Sequence, residues 1–167
     1  GDRVSGRRIG CSPMITPEPC AEVAPPPAGA GCRGIRGGAA TLNGTPIRVS
    51  AATGLTNGMV GIGYSPRIRP EQFLPPFVRL LQAGGTFYRD GSGALTLCYV
   101  ACGRLLGYVE PHINSWDCLG ALAVIEAAGG MSNEFLAGDG LRRGNRLVAG
   151  PVALYPALVG LVEEEAP

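Results

Sequence analysis

The chain has 167 residues, of which 46% are hydrophobic and 16% are charged, and its formal net charge is +1. This length is typical of about one domain, and the apolar fraction excludes an intrinsically disordered chain. The small, balanced charge excludes a polybasic surface for nucleic acid or membranes. All 14 basic residues are arginine, which excludes a Walker A lysine and a Schiff-base lysine. His112 is the single histidine, so metal motifs that need two histidines are excluded as well.

The six cysteines contain no C-x-x-C pair, which argues against a zinc knuckle and against a thioredoxin-type redox centre. Three of them lie in apolar runs at helical spacing, where a free cysteine behaves as a small hydrophobic residue. We therefore expect reduced cysteines and a cytoplasmic protein, although an even number also permits three disulfides. The six are Cys11, Cys20, Cys32, Cys98, Cys102 and Cys118.

The sequence gives limited information on membrane segments and on domain boundaries. No apolar run approaches the ~20 residues of a membrane span. The sequence begins at Gly1 without an initiator methionine, which suggests a fragment. Residues 1–40 are rich in glycine and proline, and we expect an irregular region there, followed by one α/β domain over residues 41–167. Residues 29–34 match G-x-G-x-x-G, but a triproline precedes them where a dinucleotide site needs a strand.

From residue 41 onward, extended and helical patterns alternate, which predicts a layered α/β domain. An Asn43-Gly44 pair predicts a tight turn rather than a glycosylation site. Pro75 and Pro76 lie inside the first helical pattern and are expected to delay its start. The predicted elements, in chain order, are strands at 46–50 and 59–64, a helix at 70–84, a strand at 86–89, a helix from 91–93, a strand at 105–110, a helix from about 117 to 128, a strand at 146–150 and a helix from 151.

Two predicted helix starts carry the polar residues of greatest interest, because sites in such domains form in the loops that follow strands. At Gly91-Ser92-Gly93, free backbone N–H groups suit phosphate or hydroxyl oxygens, and the alternative is a plain serine cap worth about 1 kcal/mol. Asp117 is either a helix cap or a hard oxygen ligand for Mg²⁺. Glu110, at the end of a strand, is either part of that site or a solvated surface residue.

Long, ordered motifs in this region resemble those of the inositol monophosphatase family. Residues 91–104 are similar to the family segment GSxALxLxxVAxGR, and Trp116-Asp117 through Gly130 resemble its second signature, WDxAAGxxIxxEAGG. Residues 37–50 resemble the family hairpin GGGAFLNGxPIxVS. The resemblance covers about residues 34–162. It implies an αβαβα sandwich of the carbohydrate-phosphatase type, of which this chain would form the C-terminal portion with a mixed sheet.

The resemblance implies a Mg²⁺-dependent phosphomonoesterase that acts on inositol phosphate or a related sugar phosphate. In the family, metal ions held by carboxylates activate a water that attacks phosphorus. By position, Asp117 would be a metal ligand, Glu110 would accept hydrogen bonds from substrate hydroxyls, and Gly91, Ser92 and Gly93 would line the sugar side of the pocket. His112 receives no catalytic role. The expected partner is a small phosphomonoester, with neither nucleic acid nor membrane.

The sequence also departs from the family pattern. The family's first metal motifs, a Glu-Glu pair and a D-P-x-D-G-T run, precede the hairpin, and neither is found before it here. Asp117 alone cannot hold a catalytic magnesium cluster. We therefore expect a truncated chain with little or no activity in isolation, which forms a homodimer or pairs with the missing N-terminal half. The alternative is a non-catalytic module that binds polyol phosphates or another protein.

Overall fold

The computed structural model of the chain describes residues 31–35 and 37–163, and they form eight strands and five helices. The predicted irregular segment therefore lies outside the described residues up to position 30, and the assignment of domains stays a prediction. The strands are β1 (Cys32–Arg33), β2 (Ala40–Leu42), β3 (Thr45–Ile47), β4 (Met59–Ile62), β5 (Thr86–Tyr88), β6 (Gly107–Ile113), β7 (Gly130–Ser132) and β8 (Asn145–Pro151). The helices are α1 (Pro70–Gln82), α2 (Gly93–Ala101), α3 (Leu119–Ala127), α4 (Gly140–Arg143) and α5 (Tyr155–Val162).

The central element is a mixed five-stranded sheet with the order β5-β4-β6-β8-β7. Strand β4 pairs in parallel with β5 and with β6, whereas β8 pairs antiparallel with β6 and with β7. The chain leaves β4 toward β5 and leaves β6 toward the opposite side of the sheet. In open α/β sheets, adjacent strands whose connections diverge in this way leave a crevice at their carboxyl ends. The topology therefore places a site beside the ends of β4 and β6.

Helices cover both faces of this sheet, because its strands bury side chains in two directions. In β6, Tyr108 packs into the cluster formed with α2 and α3, and the next residue, Val109, packs into the cluster formed with α1 and α5. Strand β8 repeats the pattern, with Leu147 on the first side and Val148 on the second. Side chains that alternate between two helical layers produce a three-layer α/β domain. The expected layered fold with a mixed sheet is confirmed.

A separate antiparallel sheet of three short strands, β1 to β3, packs against α3. Its tight turn has positive φ at Asn43 (52°) and Gly44 (84°), which are the two central residues of a two-residue hairpin. The predicted Asn-Gly turn is confirmed. Gly34 lies so close to α3 that an added Cβ would be 2.7 Å from the Cα of Val124.

Several element boundaries differ from the predicted ones. Helix α1 begins at Pro70 and runs through Pro75 and Pro76, so the expected delay of its start is wrong. Each of these prolines removes a hydrogen bond from the helix, but the Phe77 ring meets Phe87 of β5 edge to face at 4.9 Å. The prediction of one helix from about residue 117 is also inexact, since a 3-10 turn at Ser115–Asp117 precedes α3.

The last helix begins at Tyr155 instead of residue 151, because β8 extends through Pro151. The short elements β7 and α4 were not predicted. Across the described residues, no helix is long and apolar enough to cross a membrane.

Candidate functional site

A cleft of about 350 Å³ lies at the carboxyl ends of β4, β5 and β6, where the topology places a crevice. It contains all five residues that the sequence singled out for the site. Its lining consists of Ile62 to Arg67, Arg89 to Ala94, Thr96, Tyr108, Glu110, Ile113 and Asp117. The structure therefore brings Gly91, Ser92, Gly93, Glu110 and Asp117 together, and the roles assigned to them remain proposals.

Glu110 is the buried acid of the cleft, with only 5% of its surface exposed. It follows Tyr108 by two residues on β6, so both side chains lie on the same side of the strand. The Tyr108 hydroxyl donates a 2.6 Å hydrogen bond to Glu110 Oε2. Burial raises the pKa of the Glu110 carboxyl and nearby Asp117 adds to the rise, whereas this hydrogen bond and the neighbouring His112 and Arg67 side chains oppose it. A buried carboxyl held by one neutral donor keeps acceptor capacity for a ligand.

Gly63, directly after β4, makes room for this pair. A Cβ at Gly63 would collide with the Tyr108 hydroxyl and with Glu110 Oε2. The backbone N–H of Gly63 donates to the carbonyl of Val109 at 2.9 Å, which fixes the loop against β6. Only glycine allows the backbone to approach the carboxyl so closely at this position.

Asp90 accepts the hydrogen bonds that hold the start of α2. Its Oδ1 accepts hydrogen bonds from the Ser92 backbone N–H at 2.8 Å and from Thr96 Oγ1 at 2.9 Å. Ser92 is the helix cap, since its hydroxyl accepts from the backbone N–H of Leu95 at 3.3 Å. Gly91 has φ +86°, a conformation that favours glycine. The predicted serine cap is present, and it leaves the N–H groups at the start of α2 beside the cleft.

Asp117 lines the cleft at the end of the 3-10 turn Ser115–Asp117, and its backbone N–H donates to the carbonyl of Asn114 at 3.1 Å. It is not the cap of α3, because Cys118 occupies that position and makes no capping bond with its side chain. The alternative that Asp117 is merely a helix cap is therefore wrong.

The described residues include no group of three or more histidine, cysteine, aspartate or glutamate residues that could hold a metal ion. The three acids of the cleft differ in which of their carboxylate oxygens already accept hydrogen bonds. Asp90 Oδ1 is engaged at the start of α2, and Glu110 Oε2 is engaged by Tyr108. Asp117 fits one ligand position of a magnesium site, and the described residues do not complete such a site.

His112 lies on β6 but does not line the cleft. Its Nε2 is 2.8 Å from the carbonyl oxygen of Arg143, while its buried Nδ1 has no partner among the described residues. This ring joins β6 to the end of α4.

Reasoning from the sequence missed Tyr108, Gly63, Asp90 and Arg67. The spacing of Tyr108 and Glu110, two residues apart on a predicted strand, was a usable signal for their shared side. Asp90 follows a predicted strand and precedes a predicted helix, as capping residues do. Arg67 belongs to no motif, and its placement depends on the fold.

A second cavity of about 420 Å³ lies between α3 and β7. Its walls include Leu122, Met131 and Phe135, and it contains none of the predicted site residues.

Comparison with known proteins decides the family. The model of the inositol monophosphatase family matches residues 19–164. This chain belongs to the inositol monophosphatase family. The family resemblance found in the sequence and the phosphatase fold are thereby confirmed.

Among curated proteins, the chain is similar to Nus factor SuhB of Xylella fastidiosa, with 35% identity over 131 residues, or 74% of this chain and 48% of the relative. The corresponding protein of Haemophilus influenzae is 33% identical over 120 residues, or 70% of this chain and 45% of the relative.

Solved structures support the same family assignment. The inositol monophosphatase from Anabaena (Nostoc) sp. PCC 7120 has a TM-score of 0.68 and 30% identity, covering 78% of this chain and 53% of that one. The extragenic suppressor protein SuhB from Bartonella henselae has a TM-score of 0.70 and 25% identity, covering 78% of this chain and 51% of that one. The chain thus spans about half the length of the relatives it matches.

Proposed function

We propose that this chain provides the polyol-binding side of a Mg²⁺-dependent phosphomonoesterase site, for inositol phosphate or a related sugar phosphate. The observation that carries the proposal is the buried Glu110 carboxyl, held by Tyr108 and facing a cleft that also contains Asp117 and the start of α2. Membership of a phosphatase family supports the reaction type.

Glu110 is proposed to accept hydrogen bonds from substrate hydroxyls. Its burial makes such bonds stronger than they would be in water, and hydrogen bonds to a charged acceptor are worth about 1.5–3 kcal/mol. Tyr108 holds one carboxylate oxygen, so the carboxyl plane is fixed before the ligand arrives. A fixed acceptor loses little freedom on binding, which favours a ligand with hydroxyls in a rigid arrangement.

Gly91, Ser92 and Gly93 are proposed to line the sugar side of the same pocket. The Asp90 carboxylate holds the Ser92 backbone N–H, and the exposed backbone around Gly91 has no side chain to obstruct a ring. The first N–H groups of α2 have no carbonyl partner within the helix and suit hydroxyl or phosphate oxygens.

Asp117 is proposed as one ligand of Mg²⁺, since hard carboxylate oxygens suit this ion. The described residues do not complete a metal site. We therefore propose that the 167-residue chain alone has little or no phosphatase activity. Metal ligands from a second polypeptide, or from another copy of this chain, would complete the site.

We also propose a cytoplasmic location. The four described cysteines are free thiols, as expected in a reducing compartment. They are Cys32, Cys98, Cys102 and Cys118.

A second candidate is a non-catalytic module that binds polyol phosphates or another protein. The lack of a metal-binding group among the described residues favours it.

Calorimetric titration of myo-inositol 1-phosphate into the chain, with and without Mg²⁺, tests the proposal. We expect Glu110→Gln to weaken binding at least about tenfold, since 1.4 kcal/mol corresponds to a factor of ten. The exposed Glu71 on α1 lies outside the cleft, and Glu71→Gln should bind like the native chain. Unchanged binding in Glu110→Gln would overturn the proposal.

The same titration separates the two candidates. In the phosphatase, Mg²⁺ should strengthen ligand binding in the native chain and lose that effect in Asp117→Asn. Metal-independent binding that is unchanged in Asp117→Asn would favour the non-catalytic module. Mg²⁺-dependent release of phosphate at an ordinary enzymatic rate by this chain alone would contradict the expected lack of activity.

A further inference from the structure

Three cysteine side chains form a group outside the cleft. Cys32 lies on β1, Cys98 lies on α2, and Cys102 is the residue that ends α2. All three are half-buried and pack against the same hydrophobic cluster, and none of them lines the cleft. Residues four apart lie on the same face of a helix, so the two cysteines of α2 are neighbours.

The side chains of Cys32 and Cys98 are in direct contact, although β1 and α2 are far apart in the sequence. Their thiols share a hydrogen bond. The third thiol is engaged differently, since Cys102 Sγ donates to the carbonyl oxygen of Tyr99 at 3.5 Å. A disulfide needs its two sulfur atoms about 2.05 Å apart. The pair of thiols already in contact therefore requires the smallest movement to form one.

Two arginines make the surroundings of this group electropositive. Arg33 adjoins Cys32 on β1 and is exposed, and Arg104 follows Cys102 by two residues. The Cζ of Arg104 lies 5.6 Å from the centre of the Tyr99 ring, a cation–π contact that keeps its charge beside the end of α2. Partly exposed thiols beside positive charge are typical of cysteines that exchange with disulfides.

We propose that Cys32 and Cys98 form a reversible disulfide by exchange with a small disulfide such as oxidised glutathione. The bond joins β1 covalently to α2, and thereby the three-stranded sheet to the helical layer beside it. The inference is independent of the proposed function, since it uses no residue of the cleft. In a reducing compartment such a bond is transient and serves redox sensing.

The exchange takes place in two steps. The thiolate of Cys32 attacks one sulfur atom of oxidised glutathione, which forms a mixed disulfide and releases one glutathione thiolate. The thiolate of Cys98 then attacks the Cys32 sulfur and displaces the second glutathione. The chain loses two electrons and two protons, and the glutathione disulfide is reduced to two thiols.

Cys32 is assigned the first attack because burial disfavours the thiolate at the other two sites. Burial raises the pKa of Cys98 to about 12, and the nearby Cys32 side chain adds to the rise. Burial also raises the pKa of Cys102, although the backbone and the charge of Arg104 oppose this rise. The second step is intramolecular, and this proximity compensates for the scarce thiolate of Cys98.

The test is equilibration of the 167-residue chain with mixtures of reduced and oxidised glutathione, followed by blocking of free thiols and non-reducing tryptic mapping. Trypsin cleaves after arginine, so Cys32 lies in peptide 9–33, and Cys98 and Cys102 lie in peptide 90–104. Serine replaces the other two cysteines of peptide 9–33 in every sample. The variants are Cys98→Ser and Cys102→Ser, a matched pair one helical turn apart.

We expect the parent chain to link the two peptides. Cys98→Ser should lose this link, whereas Cys102→Ser should retain it, since the Cys102 thiol is engaged by the carbonyl of Tyr99. At a given glutathione mixture, the ratio of linked to reduced chain should be at least about tenfold higher in the folded chain than in concentrated urea. The reason is that only the fold holds the two thiols together.

Mixed glutathione disulfides without a link between the two peptides would overturn the inference. A link that survives in Cys98→Ser and is lost in Cys102→Ser would overturn the pairing. Equal ratios in the folded chain and in urea would show that the fold does not bring the thiols together, and would overturn the inference as well. No residue of the cleft is changed, so each of these results leaves the proposed function as it stands.

Discussion

The hydroxyl of Tyr108 donates a 2.6 Å hydrogen bond to the buried carboxyl of Glu110, two residues further along β6. Burial raises the pKa of the Tyr108 hydroxyl, which therefore remains a proton donor at neutral pH. The pair joins the core to the cleft, since Tyr108 packs among the residues of α2 and α3 while Glu110 lines the cleft. A buried acid is costly for folding, and such groups often serve function.

Replacement of Glu110 by glutamine should change how stability depends on pH. Because burial raises the pKa of Glu110 above its ordinary value of 4.5, the folded chain holds this proton more tightly than the unfolded chain. The contribution of Glu110 to the free energy of unfolding therefore falls as pH rises from about 4.5 through the folded pKa. In Glu110→Gln this decrease with pH should be absent. The variant should therefore be about 1 kcal/mol more stable than the native chain at pH 7.

Urea unfolding of both proteins between pH 4 and pH 8 checks this expectation, with Glu71→Gln as the exposed control. A Glu110→Gln variant that becomes less stable relative to the native chain as pH rises would contradict the buried-acid account.

Gly63→Ala should destabilise the chain by about 1–3 kcal/mol, the usual cost of overpacking a well-filled site. The added Cβ would collide with the Tyr108 hydroxyl and the Glu110 carboxylate. Gly120 lies in α3 with nothing within 4 Å of an added Cβ, so Gly120→Ala should be neutral or stabilising by up to about 1 kcal/mol. Chemical denaturation measures both changes. Equal stability of Gly63→Ala and the native chain would show that the loop is not held as described.

Asp90→Ala should cost about 1–2 kcal/mol, because it removes the acceptor of the Ser92 backbone N–H and one of the two acceptors of the Thr96 hydroxyl, the other being the Ser92 carbonyl oxygen at 2.7 Å. Thr96→Val removes only one of these donors. A double-mutant cycle should give a coupling energy above about 0.5 kcal/mol between Asp90 and Thr96. Additive effects of the two substitutions would contradict the hydrogen bond between these side chains.

Cys118 should resist alkylation in the folded chain. It is 1% exposed, and burial raises the pKa of its thiol to about 12. Since the thiolate is the reactive form, iodoacetamide at pH 8 should modify the partly exposed Cys32 at least about tenfold faster than Cys118. Mass spectrometry of the peptides measures the rates, and the two residues should react alike in denaturant. Equal rates in the folded chain would contradict the burial of Cys118.

The order of the main elements and the location of the site could be predicted from the sequence for physical reasons. Strands β4, β5 and β6 are short runs between turn residues, and sites in alternating α/β domains form in the loops that follow strands. Gly91, Ser92, Gly93, Glu110 and Asp117 belong to long motifs, and the structure brings them into one cleft.

Other features depend on contacts that no local pattern encodes. Helix α1 tolerates Pro75 and Pro76 while its phenylalanine rings pack on one another and on β5. Strand β7 begins with Gly130, a residue type depleted in strands, and only its pairing with β8 identifies it. The placement of Arg67 follows from the parallel pairing of β4 with β5 and β6, which only the tertiary structure shows.

The proposed function places a polyol phosphate in the cleft beside β4, β5 and β6. Titration of the ¹⁵N-labelled chain with myo-inositol 1-phosphate, followed by amide resonances, tests it most directly. We expect the largest shift changes at Gly63, Gly91 to Gly93 and Glu110, with little change around Met131 in the second cavity. Changes confined to the second cavity, or no changes at the cleft with saturating ligand, would contradict the account.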